Sequence, residues 1–329
     1  MRSPQRTLSV IALLLTVAIS ACGATDPSKD AAESPLTEIK IGALPVPDAS
    51  TAHIARNRGY FRAEGLDVSI APIQGAGPAL ESLIGGSFDV IQGNYVTVIQ
   101  AADAGRKLTV IADNYQAGPG TFVVMVPKNS AIKSMADLKG KTIGVATLRS
   151  IGTLTVTVAL RQVGLTANDV TFKEFPLPEM KTHLLAGRVD AAWVTEPYST
   201  QIGYSGGTQI GDMTAAGGPL DIFPIAGWIV SSEWAARNPD LAARFQRAIV
   251  RAQHDAAGDR NAVEEILPTY TKIDAATAAV IALGTWPVTR DKNRLQRVAD
   301  TMREIGYLTK PFNVDQLLTT PTPTSTPKG

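Results

Sequence analysis

A short pattern that occurs twice decides the fold. Leu83-Ile84-Gly85-Gly86-Ser87-Phe88-Asp89-Val90 recurs as Leu185-Ala186-Gly187-Arg188-Val189-Asp190-Ala191. In each copy an apolar helix is expected to end at glycine, a short turn follows, and an aspartate opens an apolar strand. Because about a hundred residues separate the copies, the pattern predicts two lobes of similar design. A solenoid would repeat every ~20–50 residues.

Short apolar strands alternate with helices around both copies. Strands are predicted at residues 38–44, 66–71, 89–91, 109–112, 122–126, 141–146, 170–175 and 190–194. Helices are predicted up to Gly59 and at residues 78–84, 153–162 and 179–186. This alternation indicates an α/β architecture in which mostly parallel sheets carry helices on their faces.

The last third of the chain is mostly helical. Asn238 is predicted to cap a helix that begins at Pro239. Thr289 is predicted to cap a later helix that stops at Gly306. Apolar residues recur at helical spacing in both segments, which predicts packing against a core.

Composition excludes several classes of protein. The 329 residues are 44% hydrophobic, enough for a sizeable core, and the net charge of +1 offers no basic surface for nucleic acid. One cysteine excludes an internal disulfide, a zinc ribbon and an iron–sulfur cluster, and the three histidines have no metal-ligand spacing. We therefore expect no nucleic-acid partner, no metal and no cofactor.

The N-terminus has the pattern of an export signal. Two arginines precede an apolar run at residues 8–19, which is shorter than the ~20 residues of a spanning helix. The run ends in Ile19-Ser20-Ala21-Cys22-Gly23, which resembles the lipobox of bacterial lipoproteins. Residues 1–21 are thus predicted to be a signal peptide, and Cys22 is predicted to carry the diacylglycerol that anchors the protein. The alternative is an uncleaved anchor or a free cysteine.

Both ends of the predicted mature chain are poor in apolar residues. Residues 22–35 are polar and small, which predicts a flexible tether. Residues 319–329 are rich in threonine and proline, which predicts a disordered tail, with an O-glycosylated segment as the alternative.

Five segments in a fixed order carry a resemblance to a known family. They are Ile39-Lys40-Ile41-Gly42, Gly59-Tyr60-Phe61-Arg62-Ala63-Glu64-Gly65-Leu66-Asp67-Val68, residues 79–89, Asp137-Leu138-Lys139-Gly140-Lys141-Thr142-Ile143-Gly144-Val145 and Trp193-Val194-Thr195-Glu196-Pro197-Tyr198. Together they resemble the substrate-binding proteins of bacterial ABC importers, in the group for nitrate, sulfonates, taurine and thiamine precursors. The match runs from about residue 39 to 318.

The resemblance implies a type II periplasmic-binding-protein fold, in which two crossing strands join two α/β lobes. Residues 36–121 and 222–318 would form lobe 1, and residues 122–221 lobe 2. It further implies a monomeric protein outside the cytoplasm, tethered to the outer face of the bacterial cell membrane, that delivers a small molecule to the permease and ATPase subunits of an importer. The ligand would be an organosulfonate, a nitrate-like anion or a pyrimidine-type compound.

Two other functional classes remain for comparison. A lipid-anchored sensor or receptor domain would use the same fold without transport. An enzyme is disfavoured, because a P-loop would need glycine at Met135 and a dinucleotide fingerprint would need glycine at Leu80.

The ligand is expected in the cleft between the lobes, where strand ends and helix N-termini offer free backbone donors. In lobe 1 the candidates are Asp48, Ser50, Gly75, Ala76, Gly77, Asn94 and Tyr95, with Tyr115 and Trp228 as apolar walls. In lobe 2 they are Arg149, Ser150, Thr153 and Glu196. The ligand is predicted to lie between Asn94-Tyr95 of lobe 1 and residues 149–153 of lobe 2.

Several candidates have a purely structural alternative. The two glycines at 75 and 77 could make a tight turn before a helix. Thr153 could be only a helix cap, and Arg149 a solvated loop cation. Glu196 could be structural, and Trp228, in the strand-like run 225–230, could belong to the core.

Overall fold

The computed structural model describes residues 35–318. The predictions for the signal peptide, for Cys22, for nearly all of the tether and for the tail lie outside the described residues. Between residues 35 and 318, no helix is both long and apolar enough to cross a membrane.

Strands and helices alternate as the sequence predicts. The strands are β1 (Thr37–Ala43), β2 (Leu66–Pro72), β3 (Val90–Asn94), β4 (Leu108–Gln116), β5 (Phe122–Val126), β6 (Thr142–Val145), β7 (Thr171–Glu174), β8 (Ala191–Thr195), β9 (Thr208–Asp212) and β10 (Pro224–Ser231). The helices are α1 (Ser50–Asn57), α2 (Tyr60–Ala63), α3 (Ala76–Ile84), α4 (Tyr95–Asp103), α5 (Ile151–Gln162), α6 (Leu177–Leu185), α7 (Tyr198–Tyr204), α8 (Ser232–Arg237), α9 (Pro239–Gly258), α10 (Arg260–Ile266), α11 (Ala275–Val280), α12 (Lys292–Glu304) and α13 (Asp315–Leu318).

The strands form two sheets of five with the same topology. The first sheet has the order β2-β1-β3-β10-β4 and the second β7-β6-β8-β5-β9. In each sheet the first three strands are parallel, and the fourth runs antiparallel to both of its neighbours. The predicted fold class, two mostly parallel sheets flanked by helices, is confirmed.

The repeated sequence pattern has the same role in both sheets. The Asp89 carboxylate accepts a hydrogen bond from the Lys40 backbone N–H, and the Asp190 carboxylate accepts one from Thr142 N–H, each at 2.8 Å. Before each aspartate a glycine ends the turn at positive φ, 76° at Gly86 and 67° in the second copy, a conformation that costs glycine little. The pattern therefore joins a helix to the start of the neighbouring parallel strand.

The chain passes between the sheets twice. The segment after β4 leads to β5, and the segment after β9 returns to β10 in the first sheet. The two segments run side by side, with Ala117 N–H donating to the Phe223 carbonyl and Met213 N–H to the Phe122 carbonyl, each at 2.8 Å. Lobe 1 is the first sheet with its helices, and lobe 2 is the second sheet with its helices. The residue boundaries expected for the two lobes stay a prediction.

Some local predictions differ from the structure. The helix expected to begin after Thr289 starts at Lys292, because the Asp291 carboxylate accepts from the N–H groups of the first turn. Asn238 precedes α9 as predicted, but its side-chain amide donates to the Trp234 carbonyl and leaves the helix N-terminus uncapped. The strand β9, whose residues are half-buried or exposed, was not predicted because its apolar pattern is weak.

Candidate functional site

A pocket of about 610 Å³, partly open to solvent, lies between the lobes at the carboxyl ends of the central parallel strands. Lobe 1 lines it with Leu44, Val46, Asp48, Gln74, Gly75, Ala76, Gln92, Asn94, Ile225 and Ala226. Lobe 2 lines it with Phe122, Ala146, Thr147, Ser150, Ile151, Gly152, Leu177, Trp193 and Thr195. Its lining is mostly apolar with a few polar side chains, as in sites for small organic molecules.

The two lobes use equivalent positions to build this pocket. The register pairs Gly42 with Ile91 in the first sheet and Gly144 with Ala192 in the second, which aligns the two lobes residue by residue. Carried forward along the chain, this alignment yields four pairs that all line the pocket: Leu44 with Ala146, Asp48 with Ser150, Gln92 with Trp193 and Asn94 with Thr195. The pocket is therefore quasi-symmetric in backbone position and asymmetric in chemistry.

The lobe 1 half of the pocket is the more polar one. Its members of the equivalent pairs include a carboxyl group and two amides. The lobe 2 members supply two hydroxyl groups and an indole, and the ring of Phe122 lies 4.9 Å from that of Trp193. A ligand that fits both halves presents a polar edge to lobe 1 and an apolar surface to lobe 2.

Asp48 is the one ionisable side chain among the lining residues. It lies in the turn Pro47–Ala49 after β1, and the Asn114 side chain holds this turn by donating to the Asp48 carbonyl at 2.8 Å. Burial raises the pKa of the carboxyl group from 3.8 to about 7. Since no lysine or arginine between residues 35 and 318 lines the pocket, the charged form of Asp48 has no cation among these residues to pair with in the pocket.

Two helix N-termini meet at one edge of the pocket. Asn94 caps α4 by accepting from Thr97 N–H at 3.0 Å, and Ser150 stands at the N-cap position of α5. The hydroxyl groups of Ser150 and Thr97 are 2.8 Å apart, and the Ser150 hydroxyl also donates to Asn94 Oδ1 at 3.3 Å. The lobes are thus in contact across the cleft, because the N-cap side chains of the two helices are hydrogen-bonded to each other.

Five of the predicted site residues line the pocket: Asp48, Gly75, Ala76, Asn94 and Ser150. At Gly75 an added Cβ would lie 3.2 Å from Thr147 Oγ1 of lobe 2, so the lobes approach each other closely there. Gly77 lies within α3, with no neighbour close to where its Cβ would be. Whether the lining residues touch a ligand stays a prediction.

Four other lobe 1 candidates lie away from the pocket lining. Ser50 shares a hydrogen bond of 2.9 Å with the Tyr270 hydroxyl. Tyr95 is buried and donates to the Asp113 carboxylate, because the start of α4 turns its ring back over Gly227 in β10. The Tyr115 hydroxyl accepts from Gly284 N–H. Trp228 is core and packs edge-on against Phe245.

Three lobe 2 candidates also make structural contacts. The Arg149 guanidinium lies 4.9 Å from the centre of the Tyr307 ring, outside the pocket lining. Thr153 accepts from Ser150 N–H at 2.9 Å and from the Tyr307 hydroxyl at 2.7 Å. Glu196 accepts from the Thr200 hydroxyl at 2.9 Å and from Ala282 N–H. Whether any of these three touches a ligand stays a prediction.

Several residues that line the pocket were not predicted from the sequence, among them Gln92, Phe122, Leu177, Trp193 and Thr195. A signal for two of them was present. Side chains two apart in a strand lie on the same side of the sheet, so Asn94 implied Gln92, and the matching position in the second copy of the repeat implied Trp193.

A pocket enclosed between two α/β lobes, with two crossing segments joining the lobes, defines the class of type II periplasmic binding proteins. The chain belongs to the NMT1/THI5-like family, whose model matches residues 47–262.

Two curated relatives are binding proteins by name. The chain is similar to the riboflavin-binding protein RibY of Chloroflexus aurantiacus, with 24% identity over 95% of each chain. It is also similar to a putative aliphatic sulfonates-binding protein of Bacillus subtilis, with 29% identity over 74% of this chain and 72% of the relative.

A solved structure shows the same fold. The alkanesulfonate-binding protein SsuA from Xanthomonas axonopodis pv. citri, bound to MOPS, superposes with a TM-score of 0.73. The superposition covers 87% of this chain and 99% of that protein, at 19% sequence identity.

Proposed function

We propose that this protein is the solute-binding component of an ABC importer, capturing a small molecule between its lobes and delivering it to the permease and ATPase subunits. The pocket that equivalent positions of both lobes enclose is the observation that carries the proposal. A ligand held by both lobes stabilises the closed arrangement over the open one, which couples binding to a shape that a permease can recognise.

For the ligand we propose an uncharged, planar compound with hydrogen-bond donors, of the pyrimidine or flavin type, over an organosulfonate or a nitrate-like anion. The reason is charge: among the residues that the structure describes, Asp48 lines the pocket and no lysine or arginine does. Above pH 7 the Asp48 carboxyl group is charged, so it repels an anion and accepts a charge-assisted hydrogen bond from an N–H donor. The rings of Phe122 and Trp193 offer a planar ligand an apolar surface.

The proposal includes a lipid anchor. The motif around Cys22 supports a mature protein that begins with a diacylated cysteine, and residues 23–35 supply a tether long enough to let the lobes reach a permease. We place the protein outside the cytoplasm, on the outer face of the cell membrane. In metabolic labelling with a radioactive fatty acid, the parent is expected to incorporate label and Cys22→Ser is not; equal labelling of both would contradict the anchor.

A thermal-shift panel tests the ligand class. The purified full-length protein in mild detergent is heated with riboflavin, cytosine, an alkanesulfonate, taurine or nitrate. A ligand that binds only the folded state adds about 2.7 kcal/mol at a hundredfold excess over Kd. We expect stabilisation by a neutral heteroaromatic compound and none by the anions. Stabilisation by the sulfonate alone would contradict the ligand class and leave the binding-protein proposal intact.

A further inference from the structure

Two N–H groups among the pocket residues have no acceptor within the described part of the chain. They are Nε2 of Gln92 and Nε1 of Trp193. Each residue is only 2% exposed, and each lines the pocket. A buried donor without a partner costs about 1–3 kcal/mol, so native proteins rarely keep one without a reason.

The orientation of the Gln92 amide follows from its one hydrogen bond. Its Oε1 accepts from the Leu44 backbone N–H at 2.9 Å. A backbone N–H can only donate, so the oxygen must face Leu44 and the NH₂ group must be the free end of the amide. The end of the Gln92 side chain that has no partner in the described part of the chain is therefore its donor end.

The Trp193 indole is held in place by its neighbours. One side packs against Phe122, with 4.9 Å between ring centres. The start of α5 packs so closely on the ring that a Cβ on Gly152 would lie 2.9 Å from Trp193 Cε3. Since an indole nitrogen can only donate, the Nε1–H also needs an acceptor that the described residues do not provide.

An unpaired indole alone would not indicate a ligand. Trp228 and Trp286 also have unpaired Nε1–H groups, and neither lines the pocket. What distinguishes Gln92 and Trp193 is that they occupy equivalent positions in the two lobes and line the same cavity from both sides.

We infer that Gln92 and Trp193 are the specificity-determining donors of the pocket, one from each lobe, and that a single ligand accepts a hydrogen bond from both. With Asp48 as the acceptor for a ligand N–H, the ligand carries two acceptors and one donor around a planar ring system. This inference rests on the proposed function, and it identifies the residues that determine the specificity for the ligand. Both donors gain partners only when the lobes enclose the ligand, so the pair also favours closure.

Two probes of similar size test the inference. 4-Aminopyrimidine has an amino donor and two ring acceptors, and aniline has the amino donor alone. Titration calorimetry at pH 8 measures the binding of both probes to the full-length protein and to two variants, Gln92→Glu and Trp193→Phe. Gln92→Glu keeps an oxygen for Leu44 N–H and removes the donors. Trp228→Phe is the matched control, because it removes an unpaired indole away from the pocket.

We expect the parent and Trp228→Phe to prefer 4-aminopyrimidine over aniline by at least ~tenfold, since a site built for a hydrogen bond rejects the analogue that lacks it. Each pocket variant should reduce this preference to within about threefold. Unfolding temperatures near that of the parent would show that the variants are folded. A preference retained by both variants, or absent from the parent, would overturn the donor assignment. Binding of any other solute by the parent would still uphold the proposed function.

Discussion

Lobe 1 and lobe 2 share a scaffold and differ in the chemistry they bring to the cleft. The aspartates at 89 and 190 close the same turn in both lobes, and each accepts a backbone N–H at 2.8 Å. Beyond the carboxyl ends of β1 and β6, the equivalent residues Asp48 and Ser150 both line the pocket but carry a carboxyl group and a hydroxyl group. Positions that hold the sheet together are alike, whereas positions that line the pocket diverge.

The lobes also differ in what is attached to them. After β10 the chain adds helices α8 to α13, and the end of α12 together with the residues that follow it reaches lobe 2. The Tyr307 hydroxyl donates to Thr153, and Arg161 of lobe 2 donates to the Glu304 carbonyl at 3.0 Å. The C-terminal third thus supplies contacts that hold the lobes together outside the pocket.

The largest difference expected between the lobes is in the dependence of stability on pH. The pKa of Asp48 is about 7 in the folded protein and 3.8 in the unfolded chain. Between these values unfolding releases a proton, so the free energy of unfolding falls as pH rises, by roughly 2–4 kcal/mol in total. Urea unfolding at pH 4 and pH 8 should show this loss in the parent and in Ser150→Ala, and a smaller loss in Asp48→Asn. An equal pH dependence in all three would contradict the assignment.

The second comparison concerns affinity. Asp48→Asn should weaken binding of 4-aminopyrimidine by about 1.5–3 kcal/mol, because a hydrogen bond to a charged group is lost. Ser150→Ala, at the equivalent position of lobe 2, should cost about 1 kcal/mol. Calorimetric titration at pH 8 measures both. If the serine variant lost more than the aspartate variant, the polar half of the pocket would be in lobe 2.

A third comparison concerns the central glycines. A Cβ at Gly42 would lie 2.9 Å from Ile73 and 3.0 Å from the Phe88 ring, whereas a Cβ at Gly144 would lie 2.6 Å from Met180 Sδ. The flexible methionine can move and the branched and aromatic side chains cannot. Gly42→Ala should therefore cost about 2–3 kcal/mol of unfolding free energy and Gly144→Ala about 1 kcal/mol. Equal losses would show that the two sites are equally rigid.

The two aspartates of the repeat provide a fourth comparison. Asp89 accepts from Trp234 Nε1 at 3.2 Å in addition to the backbone N–H, whereas within residues 35–318 the Asp190 carboxylate has only its bond from the Thr142 N–H. Thermal unfolding should show a loss of about 1–2 kcal/mol for Asp89→Ala and about 1 kcal/mol for Asp190→Ala. The opposite order would mean that the indole bond adds nothing.

The smallest expected effect is on closure. Tyr307→Phe removes the 2.7 Å hydrogen bond to Thr153 between the lobes and keeps the ring beside Arg149. We expect ligand affinity to fall by about 0.5–1 kcal/mol through a larger population of the open form. Small-angle scattering of the unliganded variant should show a larger radius of gyration than the parent. Thr200→Val, which removes a hydrogen bond within lobe 2, is the control. It should change neither the ligand affinity nor the radius of gyration.

The sequence by itself determined the fold class and much of the scaffold. The repeated glycine–turn–aspartate pattern works locally, because the helix end, the turn and the strand start lie within a few residues of each other. Asp48 and Asn94 lie within four residues of the ends of the predicted strands 38–44 and 89–91, and they were therefore expected at the carboxyl edge of a sheet. These features depend on backbone periodicity and nearest neighbours, which a sequence displays directly.

Only the tertiary structure decided which side chains face the pocket and which are already engaged. Gln92 bonds Leu44 across 48 positions, and Tyr115 bonds Gly284 across 169. Tyr95 and Arg149 were expected at the ligand and instead contact Asp113 and Tyr307. Periodicity indicates the face of an element on which a residue lies, but not what packs against that face. In the pocket, the neighbours of each side chain depend on how the two lobes, which come from separate parts of the chain, pack against each other.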